Sequence, residues 1–194
     1  MASHVRFWSK ISLRVIVVWL TVGALLILAR PEPPWLVAGS IPVLLGESLR
    51  IWAAGHLEKN KKLTVTGPYA HVKNPLYLGT FLIMAGFCTM APARHGANWI
   101  VLAVGALLFI LSYAPRKMRV EYGRLRDRFG EAFEAYDKAV PDYLPRLTPY
   151  RGGTDRWQAG LVVENSEHWI ALVVLLGAAV IVSKWAWGWG LVSL

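Results

Sequence analysis

Five apolar runs, each long enough or nearly long enough to cross a lipid bilayer, constrain the fold of this chain more than any other feature. A spanning helix needs about 20 mostly apolar residues. Hydrophobic residues make up 55% of the 194-residue chain, and its ten tryptophans suit the interface between water and lipid. The sequence therefore predicts an all-α fold, a polytopic membrane helical bundle forming a single domain over residues 1–194. Its five predicted membrane segments are residues 11–29, 35–55, 76–91, 99–114 and 168–182.

The first two runs carry features that refine this prediction. No small-x-small cleavage site follows residues 11–29, which end in a proline-rich stretch, so we expect a retained anchor rather than a cleaved signal. In the second run, Glu47 and Arg50 are three residues apart and share one helical face. Charges at that depth are costly unless they are paired or face protein. We expect either an ion pair within this helix, turned into the bundle, or a polar wall of a ligand cavity.

The charge distribution predicts the orientation in the membrane. The chain has 21 Lys and Arg against 12 Asp and Glu, a net charge of +9. The basic residues flank the apolar runs, where they set topology and meet anionic lipid, so we expect the membrane and not nucleic acid as the partner. They concentrate near the N-terminus, in residues 56–75 and in residues 116–156, which places all three in the cytoplasm. The single cysteine, Cys88, excludes an intramolecular disulfide, and no metal-ligand spacing is evident.

A polar loop between the apolar runs, residues 63–79, is the strongest candidate for a site and is called the motif loop below. It contains the dipeptides Gly67-Pro68 and Asn74-Pro75, which do not belong inside a regular helix. An unusual density of hydrogen-bonding side chains lies between and around them. These side chains are Tyr69, His71, Lys73, Asn74 and Tyr77.

A second cytoplasmic element follows the fourth apolar run. Residues 116–138 interleave charges of both signs with apolar residues at near-helical spacing, which predicts an amphipathic helix with a break at Gly130. Its apolar stripe would lie on lipid or over the motif loop. Because both elements are predicted on the same side of the membrane, residues 56–75 and 116–145 can together form one cytoplasmic site.

These two elements carry a family resemblance over roughly residues 50–145. The motif loop resembles the G-x-Y-x-x-x-R-H-P-x-Y-x-G signature of the isoprenylcysteine carboxyl methyltransferase and phospholipid methyltransferase superfamily. The later segment is similar to that family's E-E-x-x-L-x-x-x-F-G-x-x-Y-x-x-Y-x-x-x-V-P ending. The residues that carry the second likeness are Glu121, Leu125, Phe129, Gly130, Phe133, Tyr136, Val140, Pro141 and Pro145.

The resemblance implies a methyltransferase that uses S-adenosylmethionine, without a metal, on a lipophilic acceptor entering from the bilayer. The acceptor would be a lipid amine such as phosphatidylethanolamine, a prenylcysteine carboxylate or a thiol. The implied cofactor-binding residues are Lys61, Lys62, Leu63, Thr64, Tyr69, Asn74, Pro75, Leu76, Tyr77 and Glu121. The candidate catalytic residues are Lys117 and Asn74, which match the family's positions, and His71, which is a loop histidine that could act as a base. In these roles Glu121 binds the donor's ammonium, Lys117 contacts the acceptor and His71 is a candidate base.

The sequence departs from the family pattern where chemistry would be expected. Lys73-Asn74 replaces the Arg-His of the signature, Tyr122 replaces the second glutamate and Asp142 replaces the basic residue after Val-Pro. Asparagine cannot act as a base. Two alternatives therefore stay open beside the transferase: a nicotinamide-dependent membrane reductase of the sterol type, and a non-catalytic membrane scaffold of the same fold.

Overall fold

The computed structural model describes residues 29–59, 61–108, 110–111 and 114–188, and this part of the chain is helical. The helices are α1 (Pro33–Ala54), α2 (Pro75–Met90), α3 (Ala97–Leu108), α4 (Ala114–Ala139), α5 (Ala159–Glu164) and α6 (Glu167–Trp187). Two short 3₁₀ turns, Gly67–Ala70 and Arg94–Gly96, precede α2 and α3. The only β-type pairing within the described ranges is an isolated bridge between Ala29 and Ala93. The first predicted membrane segment, apart from its last residue, lies outside the described residues.

Among the described helices, α1 and α2 pack most closely, because glycines meet across their interface. A Cβ atom added to Gly39 would lie 2.5 Å from the carbonyl oxygen of Gly86, and one added to Gly46 would lie 2.5 Å from that of Gly79. Small residues at these crossings let the two backbones approach, as is typical of helices packed within a membrane. Ile83 is buried in the apolar core between these crossings.

Helix α6 completes the apolar core of the bundle. Val174 and Ile181 pack with Leu36 and Val43 of α1 and with residues of α2. The N-terminal end of α6 lies at the C-terminal end of α1, where Glu167 meets Arg50. The two long helices therefore run antiparallel.

The outer surface of the bundle is apolar, as expected of a membrane protein. Large hydrophobic side chains on α1, α3 and α6 are exposed, such as Leu44 at 64% and Leu175 at 66%, whereas glycines and charged residues lie inside. Trp35 and Trp52, both exposed, lie about 25 Å apart along α1 and suit the two interfaces of a bilayer.

The number of spanning helices corrects the sequence prediction. Within the described ranges, only α1 and α6 are long and apolar enough to cross a membrane, so the expected five transmembrane helices are not supported. The predicted run 76–91 forms a helix of 16 residues, and the described part of the run 99–114 includes α3, Ala97–Leu108. At 1.5 Å per residue α2 reaches about 24 Å, below the roughly 30 Å of a bilayer's hydrocarbon core. Pro75 at the first position of α2 fixes where this helix begins.

The amphipathic segment forms α4, with its break at Gly130. That residue has φ 50° and ψ −127°, a conformation that glycine adopts without steric cost. Beyond the break, Phe133 is fully buried in a cluster with Val65 of the motif loop.

The segment after α4 closes the open end of α1. The side-chain amide of Asn165 donates to the carbonyls of Ala54 and Leu57 at 3.0 and 2.8 Å, and the backbone N–H of Gln158 donates to Gly55 at 2.8 Å. Carbonyls at a helix end have no partner within the helix, and these donors satisfy them. The later part of the chain is thereby held against α1 beside the motif loop.

Candidate functional site

The motif loop is fixed at its start by a buried histidine. Gly67 has φ 59°, a backbone conformation that favours glycine. A Cβ there would also lie 2.5 Å from Nε2 of His56, so a larger residue would collide with the imidazole. His56 Nδ1 lies 3.1 Å from the hydroxyl oxygen of Thr66. Burial lowers the pKa of His56, because the charged imidazolium loses its hydration there.

The second half of α4 packs directly on the motif loop. Phe133, Tyr136 and Val140 form a buried apolar cluster with Val65. The hydroxyl of Tyr136 donates to the backbone carbonyl of Tyr69 at 2.8 Å. Burial raises the pKa of both tyrosines, so each phenol stays protonated. The two predicted site elements therefore contact each other through apolar packing and a buried hydrogen bond.

A polar network, which we call the Lys73 cluster, joins the same two elements. It consists of Lys73, Asn74, Tyr122, Asp137 and Asp142. The ammonium of Lys73 lies 2.5 Å from Asp137 Oδ1 and 2.8 Å from Asp142 Oδ1. The Tyr122 hydroxyl donates to Asp142 Oδ1 at 2.7 Å, and the Asn74 amide donates to the Tyr122 oxygen at 3.1 Å.

The electrostatics of the Lys73 cluster keep its charges in place. The side chain of Lys73 is only 7% exposed, and this burial acts to lower the pKa of its ammonium group. Hydrogen bonds to the two aspartates outweigh the effect of burial, so the pKa of Lys73 is raised. For Tyr122, burial and then the hydrogen bond to Asp142 raise the pKa of the phenol. Each charged group thus faces an opposite charge or a hydrogen-bond donor, and the cluster acts as a clamp between motif loop and α4.

The Lys73 cluster also explains the departures from the family signature. Lys73, Asn74, Tyr122 and Asp142 are the residues that replace the pattern, and they contact one another. An aspartate at position 142 fits a lysine and a tyrosine, where a basic residue would repel the lysine. The replacements therefore form one consistent set of contacts.

The predicted catalytic residues have separate environments. His71 Nδ1 lies 2.8 Å from the backbone carbonyl oxygen of Arg146, which ties the imidazole to the segment after α4. Asn74 belongs to the Lys73 cluster. The side chain of Lys117 lies outside the described part of the structure. Of these three residues, Asn74 alone is shown to bond to a side chain of α4.

The predicted cofactor residues divide into exposed and inward-facing groups. Lys61 and Glu121 are exposed, and Lys61 pairs with Glu164 on α5 at 2.9 Å. Lys62 pairs with Glu58 and Asp155, each at 2.7 Å. The others are half-buried or buried along the motif loop; these are Leu63, Thr64, Tyr69, Asn74, Pro75, Leu76 and Tyr77. The structure thus places Glu121 and Lys61 on the surface and the inward-facing residues along the loop that packs on α4 and leads into α2.

A buried ion pair that the sequence did not predict lies beside the motif loop. Arg50 donates from Nη2 to both carboxylate oxygens of Glu167 at 2.8 Å, and from Nε at 3.1 Å. Its Nη1 donates to the hydroxyl of Thr80 at 2.6 Å and to the carbonyl of Leu76 at 3.1 Å. The expected pair between Glu47 and Arg50 is therefore wrong. Glu167 directly precedes the last apolar run, and this position is the feature of the sequence that could have indicated a buried partner for Arg50.

Together, these features define, over the described residues, a helical protein with two helices long and apolar enough to cross a membrane, in which a polar loop is clamped onto an amphipathic helix. Within the described residues, no group of three or more His, Cys, Asp or Glu side chains could hold a metal ion.

Comparison with known proteins finds relatives named for metal resistance. The chain is 33% identical over 146 residues to the cobalt-zinc-cadmium resistance protein CzcN of Cupriavidus metallidurans, covering 72% of this chain and 64% of that protein. It is 32% identical over 118 residues to the nickel-cobalt-cadmium resistance protein NccN of Alcaligenes xylosoxydans xylosoxydans, covering 60% of this chain and 52% of that protein. The chain thus spans less than two thirds of either relative. No protein-family model matches it, and no solved structure matches it.

These matches correct the functional interpretation of the sequence. The relatives are named as metal-resistance proteins, so the assignment to the isoprenylcysteine and phospholipid methyltransferase superfamily is wrong, as are the predicted methyl transfer and the alternative sterol-type reductase. The physical reason lies in what the motifs specify. Gly-Pro, Asn-Pro, Phe-Gly and Val-Pro set turns and helix ends, and such a scaffold does not determine chemistry. The replaced positions are those at which the pattern would have carried chemistry.

Proposed function

We propose that this chain is a membrane protein that contributes to cellular resistance against divalent transition-metal ions. The observation that carries the proposal is its 33% identity, over 72% of its length, to a protein named for resistance to cobalt, zinc and cadmium. A second relative, named for nickel, cobalt and cadmium, supports the same class of ions.

We assign the chain an accessory role rather than that of a metal carrier. Its net charge is +9, and the surface around the motif loop carries exposed basic residues such as Lys59 and Lys61. A basic surface lowers the local concentration of free cations and attracts anions. The partner that fits this surface is the anionic face of a membrane. If the role is accessory, equilibrium dialysis of the purified protein against Zn²⁺ or Co²⁺ should show no binding at a fixed ratio of metal to protein.

The basic residues also support an orientation. We propose that the motif loop and α4 lie on the cytoplasmic side, because short loops rich in lysine and arginine stay there. Labelling of single cysteines in a Cys88→Ala background tests this. Thr154→Cys, in the exposed connector after α4, should be protected from a membrane-impermeant reagent in intact cells and react after lysis. His95→Cys, exposed in the turn at the other end of α2, should react in intact cells, and the reverse pattern would contradict the orientation.

S-adenosylmethionine and a lipophilic small molecule are retained only as proposed ligands, separate from any transfer reaction. The support for the first is the contact of the motif loop with α4, which brings Tyr69 beside Tyr136. Aromatic rings favour a cationic sulfonium. Direct calorimetry on the detergent-solubilised protein tests each ligand, and absence of heat beyond dilution would remove it.

The role in metal resistance is tested by deletion and complementation. A strain that lacks the gene should grow more poorly than its parent in the presence of cobalt, zinc, cadmium or nickel salts. The gene supplied on a plasmid should restore growth. Equal growth of the deletion strain and its parent at every concentration of all four salts would reject the proposal.

A further inference from the structure

Glu47 is a buried carboxyl group for which the described structure supplies no hydrogen bond. Both of its carboxylate oxygens are buried, and neither has a hydrogen-bond partner within the described residues. An ionised carboxylate in such a place loses its hydration without compensation. Ionisable groups inside membrane helices are retained mainly where they serve a function.

The neighbouring cation, Arg50, already donates hydrogen bonds to other groups. Arg50 lies one helical turn from Glu47, but all three of its guanidinium nitrogens donate elsewhere, to Glu167, Thr80 and Leu76. Arg50 and Glu167 neutralise each other. An ionised Glu47 would therefore leave the three groups with one uncompensated negative charge.

Within the described residues, the charged groups that act on Glu47 are Arg50 on its own helix and Glu167 on α6. Helix α2 contains no Asp, Glu, Lys, Arg or His, and its titratable side chains are Tyr77 and Cys88. Lys184 lies in the last turn of α6, far along that helix from Glu167. The monovalent cation that fits two fully buried oxygens is a proton.

We propose that Glu47 is a proton-binding site of the helix bundle. Its carboxyl group holds a proton in the arrangement described, and release of that proton sets Glu47 in competition with Glu167 for the guanidinium of Arg50. Because Arg50 joins α1 to both α2 and α6, loss of the proton loosens α6 from the other two helices. This inference does not depend on the role in metal resistance.

The test compares two isosteric variants, Glu47→Gln and Glu167→Gln, by unfolding of the detergent-solubilised protein across a pH series. If the folded state holds one proton that the unfolded state releases, the unfolding equilibrium constant rises up to about tenfold per pH unit. Glu47→Gln should match the wild type near pH 5, be more stable near pH 8 and lose this part of the pH dependence. Glu167→Gln, which removes the carboxylate that Arg50 binds in the structure, should be less stable at both.

Infrared spectroscopy gives a second readout that does not require the variants to be equally stable. The wild type should show a carbonyl stretch of a protonated carboxyl group near neutral pH, and Glu47→Gln should lack it. The proposal is overturned if that band is absent from the wild type. It is also overturned if Glu47→Gln is destabilised at every pH to the same extent as Glu167→Gln, since Glu47 would then be ionised and paired.

Discussion

Removal of Glu167 is the perturbation that most directly tests how the bundle is held together. Its carboxylate accepts three hydrogen bonds from Arg50, and the two side chains are only 4% and 10% exposed. Glu167→Ala removes all three hydrogen bonds that the buried guanidinium makes to this carboxylate. Breaking a buried pair in this way costs about 3–5 kcal/mol. We expect a loss of that size in the free energy of unfolding in mixed detergent micelles.

An exposed ion pair close in sequence provides the matched control. Glu164 pairs with Lys61 at 2.9 Å, but these side chains are 54% and 59% exposed. Exposed pairs contribute about 0–1 kcal/mol, so Glu164→Ala should change the free energy of unfolding very little. The double variant Arg50→Met, Glu167→Leu should recover much of the loss, because a buried pair replaced by apolar residues is often neutral. Equal effects of the two glutamate substitutions would refute the reasoning.

Three further predictions concern the site and its surroundings. Phe133→Ala should lower the free energy of unfolding by about 3–5 kcal/mol, because this ring is fully buried, whereas exposed Glu131→Ala should change it little; a denaturant titration separates them. Stability should fall as the pH drops below 6.5, because burial lowers the pKa of His56 and the unfolded state then binds the extra proton; a His56→Gln variant that keeps the full pH dependence would contradict this. If S-adenosylmethionine binds, Tyr69→Ala and Glu121→Ala should each weaken its affinity by calorimetry, and unchanged affinity in both would remove this site.

The sequence predicts most of the helices because their signals are local. Apolar runs correspond to α1, α2 and α6, and amphipathic spacing with a break at Gly130 corresponds to α4. The number of spans could not be predicted in the same way. A run of apolar residues looks alike whether the helix crosses the bilayer or ends short of it, and α2 has only 16 residues.

The contacts that hold the site together depend on distant residues, which local patterns do not reveal. Arg50 and Glu47 have the spacing of a helical ion pair, but the partner of Arg50 lies 117 residues further along the chain. The same holds for Lys73, whose partners come from α4 and the segment after it. Function was the least predictable property, since the motifs specify turns and helix ends more than they specify chemistry.

The proposed role in metal resistance is tested most directly in cells. The same experiment tests whether this role requires the buried pair of Arg50 and Glu167. The measurement is growth of the deletion strain in graded cadmium and cobalt salts, complemented with the wild type, Glu167→Ala or Glu164→Ala, with magnesium salt as the control cation. We predict that the wild type and Glu164→Ala restore tolerance, that Glu167→Ala does not, and that magnesium has no effect. Failure of the wild-type gene to change tolerance to either metal would contradict the proposed role.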